Sequence, residues 1–159
     1  MFLNKKIPNF ILVGTAKAGT SFLLKYLKQH PDLFIPNTNQ LHFHSKLKNF
    51  SGPFDKHYKL KQTKYFMEYI KNFEGSVSEK KIGEIATDYL YSYKNSIKSI
   101  KENIGDEVKI VIVLRNPIDR TFSQYKHVLS NFHEPLNFWD AIDAEIERKK
   151  KMEMELSIY

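Results

Sequence analysis

The chain has 159 residues, 42% hydrophobic and 14% aromatic, which suits one domain with a real core and excludes a disordered tail. It contains no cysteine, so a disulfide framework, a thiol nucleophile and thiolate metal sites are excluded, and a reducing compartment fits. The formal net charge of +7 suits an anionic ligand such as nucleic acid, a phosphorylated cofactor or an acidic polymer. The lysines are scattered and form no stripe with aromatics, which speaks against a nucleic-acid module. Residues 1–8 lack the apolar run of a signal peptide, and no stretch approaches the roughly 20 apolar residues of a membrane helix. A cytoplasmic location is the expectation.

The first element is Phe10-Ile11-Leu12-Val13, a continuous apolar run expected as a strand buried on both faces of a parallel sheet. It runs into Gly14-Thr15-Ala16-Lys17-Ala18-Gly19-Thr20-Ser21, a small-residue turn with one lysine, followed by a helix expected from about Thr20 to Gln29. A strand, a glycine-bounded loop and a helix N-terminus together make an anion site. The Gly14-x4-Gly19 spacing is that of a phosphate-binding P-loop, but Thr20-Ser21 stands where a triphosphatase has Lys-Ser/Thr. Lys17 comes two residues before the second glycine instead. Phe22, Leu23, Tyr26 and Leu27 fall at helical spacing and are expected to pack on the sheet.

His30-Pro31-Asp32 ends that helix, and Leu33-Phe34-Ile35 reads as a short strand. The polar segment 37–44 brings Gln40, His42 and His44 close together. The two histidines share a strand face but lack an evident third ligand, so no metal site is expected. Gly52-Pro53 marks a turn, and an aromatic-rich helix is expected from about Lys61 to Asn72. Lys81 to Ala86 reads as a strand, Asn95 to Ile104 as a helix with Gly105 at its C-terminus, and Val108 to Leu114 as the clearest strand. Arg115 stands at the carboxyl end of that strand, where open α/β sheets bind ligands. A triphosphatase would place a metal-binding acid there; arginine instead suits a second phosphate. Ser123 lies one and a half turns into a helix expected from about Ile118, within reach of the same anion. A charged helix is expected from Ala141 to Lys151. The whole is an α/β, P-loop-type three-layer domain with a central parallel sheet flanked by helices.

A lysine-bearing loop and an Arg…Ser pair, both at strand ends, describe a site for a doubly phosphorylated nucleotide. Here the sequence resembles the sulfotransferase family, whose donor is 3′-phosphoadenosine 5′-phosphosulfate. The loop 14–21 looks like the family's 5′-phosphosulfate loop. Arg115-Asn116-Pro117-Ile118-Asp119-Arg120-Thr121-Phe122-Ser123-Gln124-Tyr125 looks like its 3′-phosphate motif, Arg-x-Pro-x-x-Arg-x-x-Ser-x-Tyr. Gln40-Leu41-His42-Phe43-His44 is similar to the Glu-x-His-Phe-Phe segment of the carbohydrate, heparan sulfate-type branch, and Gly83-Glu84-Ile85-Ala86-Thr87-Asp88-Tyr89 to its Gly-Glu-x-(Ser/Thr)-Pro-x-Tyr segment.

The resemblance implies sulfuryl transfer to an acceptor hydroxyl, in all expectation on a saccharide, without a metal. It implies that Lys17 stabilises the leaving group, that Lys17, Ala18, Gly19, Thr20 and Ser21 surround the 5′ end of the donor, and that Arg115 and Ser123 hold its 3′-phosphate. The sequence departs from the branch in three ways. Gln40 replaces the proposed base, a glutamate, and an amide cannot take up a proton. The role then falls to His42, His44 or Glu84, with His42 first because a neutral imidazole is a base near neutral pH. Thr87 replaces a proline, and Ile85 stands where some relatives have a lysine. Family domains also run longer, so residues 1–159 are expected to be a single but incomplete domain, with the acceptor loop around 45–65. The competing readings are a nonenzymatic binder of nucleotide or acidic glycan and a P-loop nucleotide kinase.

Overall fold

In a computed structural model, the structure describes residues 6–38, 40–45, 63–131 and 134–151. Among these, the residues up to Leu114 form one compact unit and those from Arg115 onward a second.

The first unit is built on four parallel strands in the order β2-β3-β1-β4. They are β1 (Phe10–Gly14), β2 (Leu33–Phe34), β3 (Lys81–Ile85) and β4 (Lys109–Ile112). Helix α1 (Thr20–Leu27) follows β1, α2 (Phe66–Lys71) precedes β3, and α3 (Tyr93–Asn103) links β3 to β4. The expected parallel α/β architecture is therefore present. β1 lies between β3 and β4, with Phe10 opposite both Gly83 and Lys109, which explains its unbroken apolar run.

Alternation along β1 feeds both sheet faces. Ile11 and Val13 pack with Ala86, Tyr89 and Ile100 of α3. Leu12 turns the other way, to Ile35, Ile85 and the α1 leucines Leu23, Leu24 and Leu27. A third cluster joins Leu41 and Phe43 to Tyr69, Ile70 and Phe73 around α2. Of the aromatics in that stretch, Tyr69 and Phe73 are buried and Tyr65 is exposed.

Two expectations about α1 are corrected. Phe22 and Tyr26 do not pack on the sheet; they are exposed and touch each other, with ring centroids 4.7 Å apart. The helix is turned so that Leu23 and Leu27 face inward, and the other i, i+4 pair is left facing outward. The helix ends at Leu27, with Lys28 as C-cap, slightly earlier than expected. Among the described residues β4 is paired on one side only, and Ile110, Ile112 and Leu114 are exposed despite their β-branched or apolar character. The helix expected from Lys61 begins at Phe66, and its first two residues, the turn at Gly52-Pro53 and most of the acceptor loop lie outside the described residues. Gly105 takes φ +110 just past α3, the left-handed geometry that ends helices.

The second unit contains α4 (Pro117–Ser130) and α5 (Phe138–Lys151). Tyr125 and Ala141 pack with Leu136, Phe138 and Ile142, and Tyr125 Oη donates to the Leu136 carbonyl at 3.0 Å. Helix α5 starts one turn before the expected Ala141, because Asn137 Oδ1 accepts from the Asp140 N–H at 3.1 Å and caps it. Helix α4 is capped by Asn116, whose Oδ1 accepts from the Ile118 and Asp119 N–H groups, with Pro117 as the first helical residue. Replacing Asn116 by alanine is expected to cost about 1 kcal/mol of unfolding free energy, read by urea denaturation. An unchanged midpoint would show that the cap contributes nothing.

Candidate active site

The loop after β1 is pinned at its base. Thr15 N–H donates to the Val113 carbonyl at 2.9 Å, and Val113 N–H donates to the Gly14 carbonyl at 2.8 Å. At Gly14, φ +150 strains any side chain, and a Cβ there would crowd the Leu90 Cβ and the Thr87 carbonyl oxygen, each 3.1 Å away. Gly19 caps α1 with φ +91, and no side chain caps the helix. Thr20 and Ser21 are themselves the first helical residues. The first intrahelical bond runs from Leu23 N–H to the Gly19 carbonyl at 3.0 Å. The N–H groups of Thr20, Ser21 and Phe22 therefore precede it, and the helix dipole favours negative charge there. The loop as built suits an anion: glycines at the tight positions, uncapped N–H groups and one lysine.

A cavity of about 170 Å³ begins at this helix terminus. It is lined by Thr20, Ser21 and Leu24 of α1, by Ile35, Pro36, Thr38, Gln40 and Leu41, and by Glu84, Ile85 and Thr87 at the end of β3. The structure thus brings Thr20, Ser21 and Gln40 to one cavity. Lys17 and His42 are not among its walls. Gln40 accepts a hydrogen bond through Oε1 from Thr87 Oγ1 at 3.2 Å. Positions 40 and 87 therefore meet as a hydrogen-bonded pair.

Among the described residues, three non-glycine positions have left-handed backbone: Lys17 at φ 65, Gln40 at φ 54 and His42 at φ 54. Such conformations cost on the order of 1–3 kcal/mol each and gather at functional sites. These are the same three residues that the sequence nominates for chemistry.

His42 lies almost wholly buried, its Nδ1 3.0 Å from Asp88 Oδ1. His44 is a core residue with no exposed surface, packed edge-on to Phe43, Tyr69 and Tyr89, with Nδ1 3.0 Å from Ser99 Oγ. Glu84 accepts from Tyr69 Oη at 2.8 Å and from Tyr89 Oη at 2.7 Å. Burial pushes its carboxyl up to about 7; the two tyrosine hydrogen bonds oppose this, and the Asp88 charge adds to it. Both tyrosines are themselves pushed upward, first by burial and then by the Glu84 charge. Tyr89 Oη also receives the His44 backbone N–H at 3.2 Å, so this polar core ties the 40–45 segment to β3.

Arg115 and Ser123 belong to the second unit, Arg115 exposed just before the Asn116 cap and Ser123 half-buried in the second turn of α4. No group of three or more His, Asp or Glu suited to a metal occurs among the described residues. No helix among them is long and apolar enough to cross a membrane.

Sequence reasoning did not single out Asp88 or Tyr69. Asp88 could have been found by asking of β3 what was asked of β1 and β4, since polar residues just beyond a strand's carboxyl end face the ligand crevice. Tyr69 carried no such signal, because its phenol reads as any other helix aromatic until its partner is known.

Residues 8–155 match the sulfotransferase domain, and the chain belongs to that family. A crystal structure of a sulfotransferase from Alicyclobacillus acidocaldarius is 36% identical, with a TM-score of 0.87 over 97% of this chain and 62% of the other. The membrane-associated sulfotransferase kil1 of Dictyostelium discoideum is 30% identical over 119 residues, 75% of this chain and 22% of the relative. The mouse heparan sulfate glucosamine 3-O-sulfotransferase 3A1 is 25% identical over 127 residues, 80% of this chain and 28% of the relative. The chain therefore spans less than a third of these two curated relatives.

Proposed function

We propose that this chain takes part in sulfuryl transfer from 3′-phosphoadenosine 5′-phosphosulfate to a hydroxyl group on a carbohydrate. The observation that carries the reading is the uncapped N-terminus of α1, opening on a cavity that also holds Gln40, behind a loop whose lysine is kept in a strained conformation. The family supports the reaction, and the heparan sulfate relatives support a saccharide acceptor.

The donor supplies an activated sulfuryl group and a phosphate leaving group. Lys17 places a positive charge where negative charge builds on the departing oxygen. The N–H groups at Gly19, Thr20 and Ser21, with Ala18 beside them, bind the 5′ end of the donor. Arg115 and Ser123 bind its 3′-phosphate and so orient it, without touching the reacting atoms. Gln40 contacts the acceptor, and His42 takes up the hydroxyl proton.

Titration calorimetry without metal tests the donor assignment. Adenosine 3′,5′-bisphosphate is expected to bind and ATP to bind far more weakly. Arg115→Ala is expected to weaken the bisphosphate by about 10²-fold, the worth of a charge-assisted phosphate contact. ATP binding that requires Mg²⁺ would overturn the assignment in favour of a kinase.

A further inference from the structure

The turn after β3 meets two residues of the 40–42 segment with two adjacent side chains. Thr87 Oγ1 donates to Gln40 at 3.2 Å, and Asp88 Oδ1 stands 3.0 Å from His42 Nδ1. The side chains of His42 and Asp88 are only 7% and 5% exposed, so little water competes for their contact. A carboxylate oxygen 3.0 Å from Nδ1 favours the tautomer with its proton on Nδ1, which leaves Nε2 as the basic nitrogen. The left-handed backbone at His42 fixes the ring's point of attachment as well.

We propose that Asp88 is a positioning residue that holds His42 with Nε2 as the proton acceptor, so that the His42–Asp88 pair supplies the base that Gln40 cannot be. This rests on the sulfuryl-transfer reading above. In the step, the acceptor oxygen forms a bond to sulfur while the bond from sulfur to the phosphate oxygen of the donor breaks. The electron pair of that bond leaves with the nucleotide, and the hydroxyl proton passes to His42 Nε2. The resulting imidazolium faces the Asp88 carboxylate through Nδ1–H, so its charge is balanced at 3.0 Å. Thr87 acts alongside: by donating to Gln40 Oε1 it leaves the Gln40 amide as a donor, suited to a substrate oxygen and not to a proton.

The test has two independent readouts on the full chain. The first is the tautomer of His42, from long-range proton–nitrogen correlation on protein labelled with ¹⁵N-histidine. The Nδ1–H form is expected in the wild type, and a mixture or the Nε2–H form in Asp88→Asn. An Nε2–H ring in the wild type overturns the proposal whatever the activity. The second is kinetic: Asp88→Asn is expected to lower kcat by about 10²-fold while leaving bisphosphate affinity unchanged. The double variant His42→Ala/Asp88→Asn is expected to be no slower than His42→Ala. Additive losses, or an unchanged kcat in Asp88→Asn, overturn the proposal. Should Asp88→Asn fail to fold, the wild-type tautomer still decides. Wild-type protein that binds no bisphosphate removes the sulfuryl-transfer reading and the proton-acceptor role with it, whereas bisphosphate binding with the wrong tautomer removes only the latter.

Discussion

Lys17→Ala is expected to lower kcat for sulfuryl transfer by about 10³-fold, the largest single effect on activity anticipated for this chain. The loss comes from the transition state, where negative charge builds on the oxygen leaving sulfur. An alanine leaves that charge to main-chain N–H groups alone. Acceptor KM is expected to change little, because in the proposed reaction the ammonium serves the leaving group and not the acceptor. Lys17→Arg is expected to restore only part of the rate, since a planar guanidinium does not replace a compact point charge. A companion measurement isolates the backbone. Lys17 sits at φ 65, where a Cβ is costly and glycine is at ease. Lys17→Gly is therefore expected to be more stable than Lys17→Ala by about 1 kcal/mol in urea denaturation, although both lack the charge. Equal stabilities would show that the loop relaxes freely, and a kcat within about threefold of wild type in both variants would remove Lys17 from the chemistry.

The second large effect concerns stability and pH. Glu84 is fully enclosed, and burial raises its carboxyl from an ordinary 4.5 to about 7. A group with a raised folded value stabilises the fold fully below its unfolded value, and that contribution is lost as pH climbs through the folded value. For Glu84 the window runs from about pH 4.5 to just above 7. The gap corresponds to at most about 3 kcal/mol of stability lost across it. Glu84→Gln cannot ionise, so it should escape this loss while keeping one oxygen for a tyrosine hydroxyl. Unfolding free energies of the two proteins, measured from about pH 5 to 8, are expected to diverge, with the Glu84→Gln variant gaining on the wild type as pH rises. Parallel curves over that range would mean that Glu84 stays ionised throughout. The result bears on function too, because Glu84, Tyr89 and the His44 N–H form the chain of bonds that seats the segment carrying Gln40 and His42.

The two effects concern parts of the molecule that differ in how readable they were. The geometry of the loop 14–21 was legible because it is local. A strand, two glycines and a helix start within a dozen residues need no distant partner to form a glycine-bounded turn. The same holds for the order of strands and helices, which follows from apolar runs and punctuation in the chain. The sheet's interior was legible at β1, where an unbroken apolar run means burial on both faces. At β4 the β-branched composition gave the strand but not its neighbours, because central and outer strands need the same backbone.

The spacing of Phe22, Leu23, Tyr26 and Leu27 in α1 predicts that all four pack on the sheet, whereas Phe22 and Tyr26 are exposed. Periodicity defines a stripe of apolar residues, but four of them on adjacent faces leave open which pair meets the sheet. The contacts of Leu12, Ile35 and Ile85 with the α1 leucines decided it.

By itself, the amino-acid sequence determined the parallel α/β class, and it nominated the loop with Lys17, the Arg115 to Ser123 stretch and Gln40 for the proposed site. These depend on residues near one another in the chain, where spacing is geometry. Only the tertiary structure decided what surrounds Gln40 and His42. Thr87 and Asp88 lie more than forty positions away and reach them because the end of β3 folds beside the 40–45 segment. It also separated the histidines, which look alike in sequence: His44 is sealed among Phe43, Tyr69 and Tyr89, while His42 faces a carboxylate. Burial and hydrogen-bond partners set the protonation of a buried side chain, and both are properties of packing that no local stretch of sequence contains.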